Sequence, residues 1–420
     1  MKLGVNTLDD FDVKGQTVMC RVDINSPINR ETGELKDITR IKYCLPTIAE
    51  LSGRGARTVL MAHQGGDLEY KNFTSLIKHA GTMENLLGRP VLFIDDICGP
   101  AARNRIRQLK DGEVLLLENV RYMAEEMTLF ETKLNLSPVD QSKTVVVQKL
   151  APLADLYVCD AFAAAHRSQP TLVGFEELMP SAMGRLFEKE LSVLTGIVQN
   201  PDRPCLFILG GAKIQDAFMM MSTVLENGVA DGVLTGGLVA NIMLKAGGTR
   251  IGRPSEEFLL KNNLSGCIEV AAGILDRFGS RVVLPKDLAY IDVGRTEVKV
   301  EDLPCNHLLV DVGQETVKDY FSRIEKAKTI FINGPLGIFE KTESEYGTKM
   351  IWNAIALSKG FSVIGGGDSI SAVNKYQLAD RFSYICTAGG GLVRFLSGEE
   401  LPVVKALRKS AGKFPLTSVS

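Results

Sequence analysis

No two of the 8 cysteines form a C-x-x-C pair; they are scattered singly along 420 residues. Zinc sites and disulfide frameworks need closer pairing, so neither is expected. Several cysteines sit inside apolar runs, with Cys20 in VMCRV, Cys159 in YVCDAF, Cys205 in PCLFIL and Cys386 in YICTA. A thiol in such a run serves as a small hydrophobe, and a reducing, cytoplasmic setting is expected. No apolar run of about 18 residues is present to span a bilayer, and the opening MKLGVNTLDDFDVKG lacks the apolar centre of a signal peptide. An excess of charge is missing too: 48 Lys and Arg against 50 Asp and Glu leave −2. Nucleic acid and membranes are therefore not expected partners, and any anion site must come from a local cluster. Low-complexity segments and short repeats are absent, which excludes a solenoid.

What is present is alternation. Short β-rich runs recur at Thr17–Asp23, Thr58–His63, Val91–Asp95, Val114–Glu118 and Leu156–Asp160, then at Cys205–Leu209, Gly232–Thr235, Val282–Leu284, Leu308–Val310, Thr329–Asn333, Phe361–Ile364 and Tyr384–Thr387. Longer amphipathic stretches separate them. Most of the runs are unbroken rather than alternating, as in strands buried on both faces. The pattern predicts an α/β fold of two doubly wound parallel-sheet, Rossmann-like lobes. PSAMGRLFEKELSVLTGIVQNPDRP reads as one long helix ending before Asn200-Pro201. It is expected to join a first lobe (1–178) to a second (179–401) through a hinge, with a cleft between them.

Ligands of open parallel sheets sit beyond the carboxyl ends of the strands. In the first half those ends carry Arg21-Val22-Asp23-Ile24-Asn25, Ala62-His63-Gln64, Glu118-Asn119-Val120-Arg121 and Asp160-Ala161-Phe162, the last leading to His166-Arg167. Arg40 follows the first strand. Arginine presents a planar fork that suits carboxylate and phosphate, so four of them at strand ends suit a small, multiply charged acid. In the second half the ends carry glycine: Gly210-Gly211-Ala212-Lys213, Gly236-Gly237, Asn333-Gly334-Pro335, Gly365-Gly366-Gly367-Asp368 and Ala388-Gly389-Gly390-Gly391. Glycine lets the backbone approach a phosphate, and the next helix offers free N–H groups. A nucleotide or other phosphoanion site follows. Neither the P-loop signature nor the dinucleotide G-x-G-x-x-G fingerprint occurs. Asp368 is placed to hold Mg²⁺ against phosphates, or else to cap the following helix.

RVDINSP, ITRIKYCLPTI, LLLENVRY, VCDAFAAAHRSQPTLVGF, ILGGAKI, TGGLVANIML, NGPLGIFE, VIGGGDSISAV and the AGGG tract before FLSGEELPVVKAL closely resemble phosphoglycerate kinase. They appear in that family's order from about residue 15 to residue 410, and AAAHRSQPTLVGF is most similar to archaeal members. The resemblance implies reversible phosphoryl transfer between 1,3-bisphosphoglycerate with ADP and 3-phosphoglycerate with ATP, a step of glycolysis and gluconeogenesis. It implies that Arg21, Asp23, Asn25, Arg40, His63, Arg121 and Arg167 hold the acid, and that Arg40, Lys213, Gly367 and Gly390 serve the transfer. Gly211, Lys213, Gly236, Gly237, Asn333, Pro335, Glu340, Gly366, Gly367, Asp368 and Ser369 would hold the nucleotide, with Glu340 on the ribose and Asp368 on Mg²⁺. The C-terminal tail, 402–420, would return to the first lobe. Partners would be small molecules alone, and the protein a monomer or homodimer.

Three departures stand out. The family's H-x-G-R-P is here His63-Gln64-Gly65-Gly66-Asp67, with Lys71 or Arg54 the nearest candidates to replace the missing arginine. Its second lysine after G-G-A-K is Ala217, and its S-T-G-G-G tract begins Cys386-Thr387-Ala388. A paralogue acting on another small acid and a non-catalytic nucleotide-binding relative are the alternatives.

Overall fold

A computed structural model describes residues 3–29, 31–66 and 73–416. The chain forms two compact units, Met1–Val193 with Glu400–Ser420, and Leu194–Glu399.

The first unit is built on β1 (Thr17–Arg21), β2 (Arg57–Met61), β3 (Val91–Ile94), β4 (Val114–Leu117), β5 (Leu156–Cys159) and β6 (Ser181–Met183), in the order β3-β4-β2-β1-β5-β6. All its pairings are parallel. Every residue of β1, β4 and β5 is buried, which is why these strands read as unbroken apolar runs. The helix Thr39–Gly53 lays Ile41, Cys44, Ile48 and Leu51 into the core. Their three- and four-residue spacing is the apolar stripe of an amphipathic helix. Fully burying one such aliphatic side chain is worth about 1.5–3 kcal/mol. The helix Pro402–Lys413 belongs to this unit: it buries Val403, Val404 and Leu407, and its Ser410 hydroxyl donates to the Met179 carbonyl at 3.2 Å. Lys409 and Lys413 both pair with Glu177.

The second unit carries β7 (Cys205–Leu209), β8 (Gly232–Thr235), β9 (Val282–Val283), β10 (Asp287–Ile291), β11 (Arg295–Lys299), β12 (Leu309–Val312), β13 (Thr329–Asn333), β14 (Phe361–Gly365) and β15 (Tyr384–Ile385). A parallel six-stranded sheet runs β15-β14-β13-β7-β8-β9.

Two expectations are corrected. Ser181–Met183 is not the start of a long helix but a strand paired with β5, and the helix begins at Arg185 and ends at Gln199. A three-residue strand is too short to show a period. The strand near Leu308 belongs to no parallel sheet; β11-β10-β12 is a separate antiparallel sheet. Its outer strand, RTEVK, has no buried residue, so it lacks the apolar run by which the others are recognised.

Asp160, at the end of β5, is wholly buried. It accepts from the Phe187 N–H at 3.1 Å in the first turn of the helix Arg185–Gln199. Among the described residues its second oxygen, Oδ2, has no hydrogen-bond partner. Burial pushes its carboxyl from 3.8 up to about 7, against the pull of the Phe187, Thr47 and Leu186 bonds. Above about pH 4 the unfolded chain has lost this proton while the folded one keeps it, so the group weakens the fold as pH rises, until the folded carboxyl ionises near 7. Asp160→Asn keeps an acceptor for Phe187 and never ionises. The variant's melting temperature should match the parent's near pH 4 and exceed it by a few degrees at pH 8. A difference independent of pH in calorimetric scans would contradict this.

Candidate functional site

In the first unit the polar residues at the ends of β1, β2 and β4 are linked by hydrogen bonds, and Thr171 joins them from beyond β5. Arg21 ends β1 with no exposed surface. Its Nε donates to Thr171 Oγ1 at 3.0 Å and one terminal nitrogen donates to the Val22 carbonyl at 2.7 Å. The other terminal nitrogen lies 3.2 Å from His63 Nδ1. A guanidinium only donates, so Nδ1 accepts and the ring proton sits on Nε2. Burial drives the His63 pKa from 6.5 to about 3; Asp23 opposes this, while Arg21, Arg121 and Arg40 add to it. The ring is therefore neutral.

Asp23 is buried beside it. Burial works to raise its carboxyl, but the charge of Arg40, the Asn25 N–H and Arg21 outweigh that and hold it at about 2. One Arg40 nitrogen donates to both Asp23 oxygens, at 3.0 and 2.9 Å. Arg40 stands in the first turn of the helix Thr39–Gly53, with 38% of its side chain exposed. Asn25 accepts from the Gly65 N–H at 3.1 Å. Gln64 and Asn119 clasp the neighbouring loops: Gln64 Oε1 accepts from the Ser26 N–H at 2.9 Å, and Asn119 Oδ1 from the Gln64 N–H at 3.0 Å. Arg121 is buried in the turn Val120–Tyr122 after β4. Arg167 follows β5; it donates to Thr128 Oγ1 at 2.6 Å and lies 3.8 Å from Glu131. His166 is half-buried.

All seven acid-binding candidates thus lie in this unit: Arg21 at the end of β1, five after β1, β2, β4 and β5, and Arg40 on the helix Thr39–Gly53. Gly66 is exposed, and among the described residues nothing lies within 4 Å of where a side chain would start. Arg54 does not replace the missing arginine: it donates to the Leu8 and Phe11 carbonyls and pairs with Glu50. Asp67 and Lys71 lie outside the described residues. Two polar residues that were not site candidates complete the cluster. Thr171 donates through its backbone N–H to Glu126 Oε1 at 2.7 Å and through its hydroxyl to Oε2 at 2.8 Å, and Glu126 has no exposed surface.

In the second unit a cavity of about 250 Å³ is lined by Gly211, Gly237, Pro335, Glu340 and Asp368, together with Phe258, Leu288, Leu308, Leu309 and Ile338. An apolar slot with a glycine- and acid-lined end suits a nucleotide: base against hydrocarbon, phosphates against backbone. The glycines allow tight contact between strand ends. A Cβ on Gly334 would collide with the Gly210 carbonyl, and Gly366 has φ +90°.

The other nucleotide candidates stand outside that lining. Lys213 is exposed as the N-cap of the helix Ile214–Glu226, and Asn333 ends β13. Gly236 is the N-cap of the helix Gly237–Ala246. Gly366 caps the helix Gly367–Lys375, which Gly367 begins, and Gly390 begins the helix Gly390–Leu396. Asp368 is the second residue of its helix and exposed, and the cap is Gly366, so the capping reading of this aspartate does not hold. Ser369 has no exposed surface, and its hydroxyl accepts from the Gly334 N–H at 2.7 Å. It braces the glycine turn from below. Asp311, absent from any motif, also borders the cavity: Arg295 and the Gly347 N–H both donate to its Oδ2 at 2.8 Å, and burial raises its carboxyl to about 6.

Among the described residues no helix is long and apolar enough to cross a membrane, and all eight cysteines are free.

The model of the family described as phosphoglycerate kinase matches residues 8–399. A phosphoglycerate kinase of Methanothermobacter thermautotrophicus is 47% identical over 405 residues, 96% of this chain and 97% of that protein. One from Methanobacterium bryantii is 45% identical over 408 residues, 97% of this chain and 98% of its own. Among solved structures, phosphoglycerate kinase from Pyrococcus horikoshii superposes with a TM-score of 0.88 at 40% identity, over 97% of this chain and all (100%) of that one. With residues 8–399 matched by the family model and 96–97% of the chain matched by these relatives, the chain belongs to the phosphoglycerate kinase family.

Proposed function

We propose that the cluster of the first unit binds 3-phosphoglycerate or 1,3-bisphosphoglycerate, and that the cavity of the second binds ADP or ATP. The family's reaction moves a phosphoryl group between the nucleotide and the carboxyl of 3-phosphoglycerate. In the direction of ATP use, a carboxylate oxygen bonds to the γ-phosphorus as the bond to the ADP oxygen breaks. That transition state is loose and needs alignment and positive charge around its equatorial oxygens more than covalent help.

The observation that carries the reading is the set of arginines in and around the polar cluster after β1, β2, β4 and β5. Arg40 gives one nitrogen to Asp23 and keeps the rest of its fork half-exposed, which suits it to the transferring phosphoryl group. Lys213, exposed at a helix start, would meet the same charge from the nucleotide side, with Gly367 and Gly390 offering helix N–H groups. Glu340 would take the ribose. Among the described residues no group of three acidic, histidine or cysteine side chains could hold a metal by itself. The lone carboxylate of Asp368 fits Mg²⁺, which completes its shell with phosphate oxygens and water and, when bound, offsets phosphate charge. Partners on this reading are these small molecules alone, in a monomeric or homodimeric cytoplasmic protein.

The direct test incubates the purified chain with MgATP and 3-phosphoglycerate and follows ADP while the acyl phosphate is removed. Turnover only with another phospho-acid would move the assignment, motivated by Gly66, and nucleotide binding without turnover would end it. In the same assay Arg40→Ala should lower kcat by about 10³-fold, while KM for 3-phosphoglycerate changes far less. An unchanged kcat removes Arg40 from the transfer. Because His63 titrates near 3 and Asp23 near 2, both keep one charge state from about pH 5 to pH 8. The ring-nitrogen shifts of His63 in the unliganded protein should therefore stay constant from about pH 5 to pH 8 in nitrogen-15 NMR, and a titration near 6.5 would contradict a neutral His63. Gly66→Arg restores a charge-assisted hydrogen bond where space is open, and KM for the acid should fall about tenfold.

A further inference from the structure

We propose that Glu126, Thr171 and Arg21 form a buried relay that fixes the tautomer of His63, so that His63 presents its Nε2–H to the acid substrate. This rests on the reading that His63 binds the acid, and goes beyond it by assigning work to two residues that were not site candidates and by removing Arg21 from direct contact.

The polarity of the chain is forced from its centre outward. Arg21 has no exposed surface, so in this arrangement it acts through its neighbours. Its guanidinium stays protonated and can only donate. Thr171 Oγ1 must therefore accept from Arg21 Nε at 3.0 Å, which leaves the single hydroxyl proton for Glu126 Oε2 at 2.8 Å. At the other end His63 Nδ1, 3.2 Å from Arg21, must accept. A proton on Nδ1 would set two donors face to face in a buried site. The tautomer thus follows from a group that does not titrate, and no assumed hydrogen position enters.

Thr171 is itself held on three sides. Glu126 takes its N–H as well as its hydroxyl, and its carbonyl accepts from the Tyr157 hydroxyl at 2.8 Å. Tyr157 is fully buried and stacked on Phe175 with ring centroids 5.3 Å apart. The hydroxyl that orients Arg21 is therefore placed before any ligand arrives, as a supporting shell must be. Burial raises the Glu126 carboxyl while the Arg21 charge and the Thr171 bonds pull it down.

The test is a double-mutant cycle read in KM for 3-phosphoglycerate, with KM for MgATP beside it. Thr171→Val should raise the first about tenfold and leave the second unchanged, and Thr171→Ser should stay within about twofold of the parent. In a His63→Gln background Thr171→Val should cost nothing more. A penalty that persists there, or one shared equally by both substrates, overturns the relay. His63→Gln without effect on KM for the acid overturns the underlying assignment instead. Nitrogen-15 NMR of histidine-labelled unsubstituted protein, with His63→Gln for assignment, decides the tautomer even where Thr171→Val fails to fold. A bare Nδ1 and a protonated Nε2 at neutral pH are expected, and the reverse sinks the proposal.

Discussion

Arg21 is a guanidinium without any surface, and its surroundings are arranged around that fact. It can neither shed its charge nor accept a bond, so each neighbour has to be an acceptor: a threonine oxygen, a carbonyl and an imidazole nitrogen. Glu126 stands behind the threonine, and Asp23 close by takes Arg40. Removing one acceptor from such a set leaves a buried charged donor unpaired, and a hydrogen bond to a charged group is worth about 1.5–3 kcal/mol. The arrangement therefore holds its geometry before a ligand is present, which is the condition for a site that works by alignment and charge.

On the proposed reading the second unit handles anions by the opposite means. Its strand ends carry almost no side chain: Gly210 and Gly334 touch backbone to backbone, and Ser369 is spent on the Gly334 N–H. What remains for a phosphate is backbone N–H and the positive ends of helices. Side-chain charge in one unit and backbone dipole in the other suit the two halves of the reaction. The acid carries fixed carboxylate and phosphate groups that arginine forks match, whereas nucleotide phosphates must be approached closely.

Legibility followed burial. Strands covered on both faces, such as VMC in β1 and FIL in β7, announce themselves as apolar runs. Ser181–Met183 is too short to do so, and RTEVK lies with its residues exposed or half-buried. Among the candidate residues, Arg21, His63 and Asp368 were visible because they end or follow strands. The same rule misleads at Asp160, which also follows a strand yet supports a helix start. Thr171 and Glu126 sent no signal, since a threonine inside HRSQPTLVGF and a glutamate in a short turn look like any others.

Local pattern was enough for the layered α/β architecture, the glycine-bearing and arginine-bearing strand ends, and membership of a family whose motifs recur in order. Periodicity and strand-end residue types are properties of short windows, and short windows survive in a linear string. Which oxygen accepts from Arg21, which nitrogen of His63 holds the proton, and that Ser369 is a brace beneath a turn were decided only by folding. Those facts join residues 21, 63, 126 and 171, or 334 and 369, and hydrogen-bond polarity exists only once packing has brought donor and acceptor within about 3 Å.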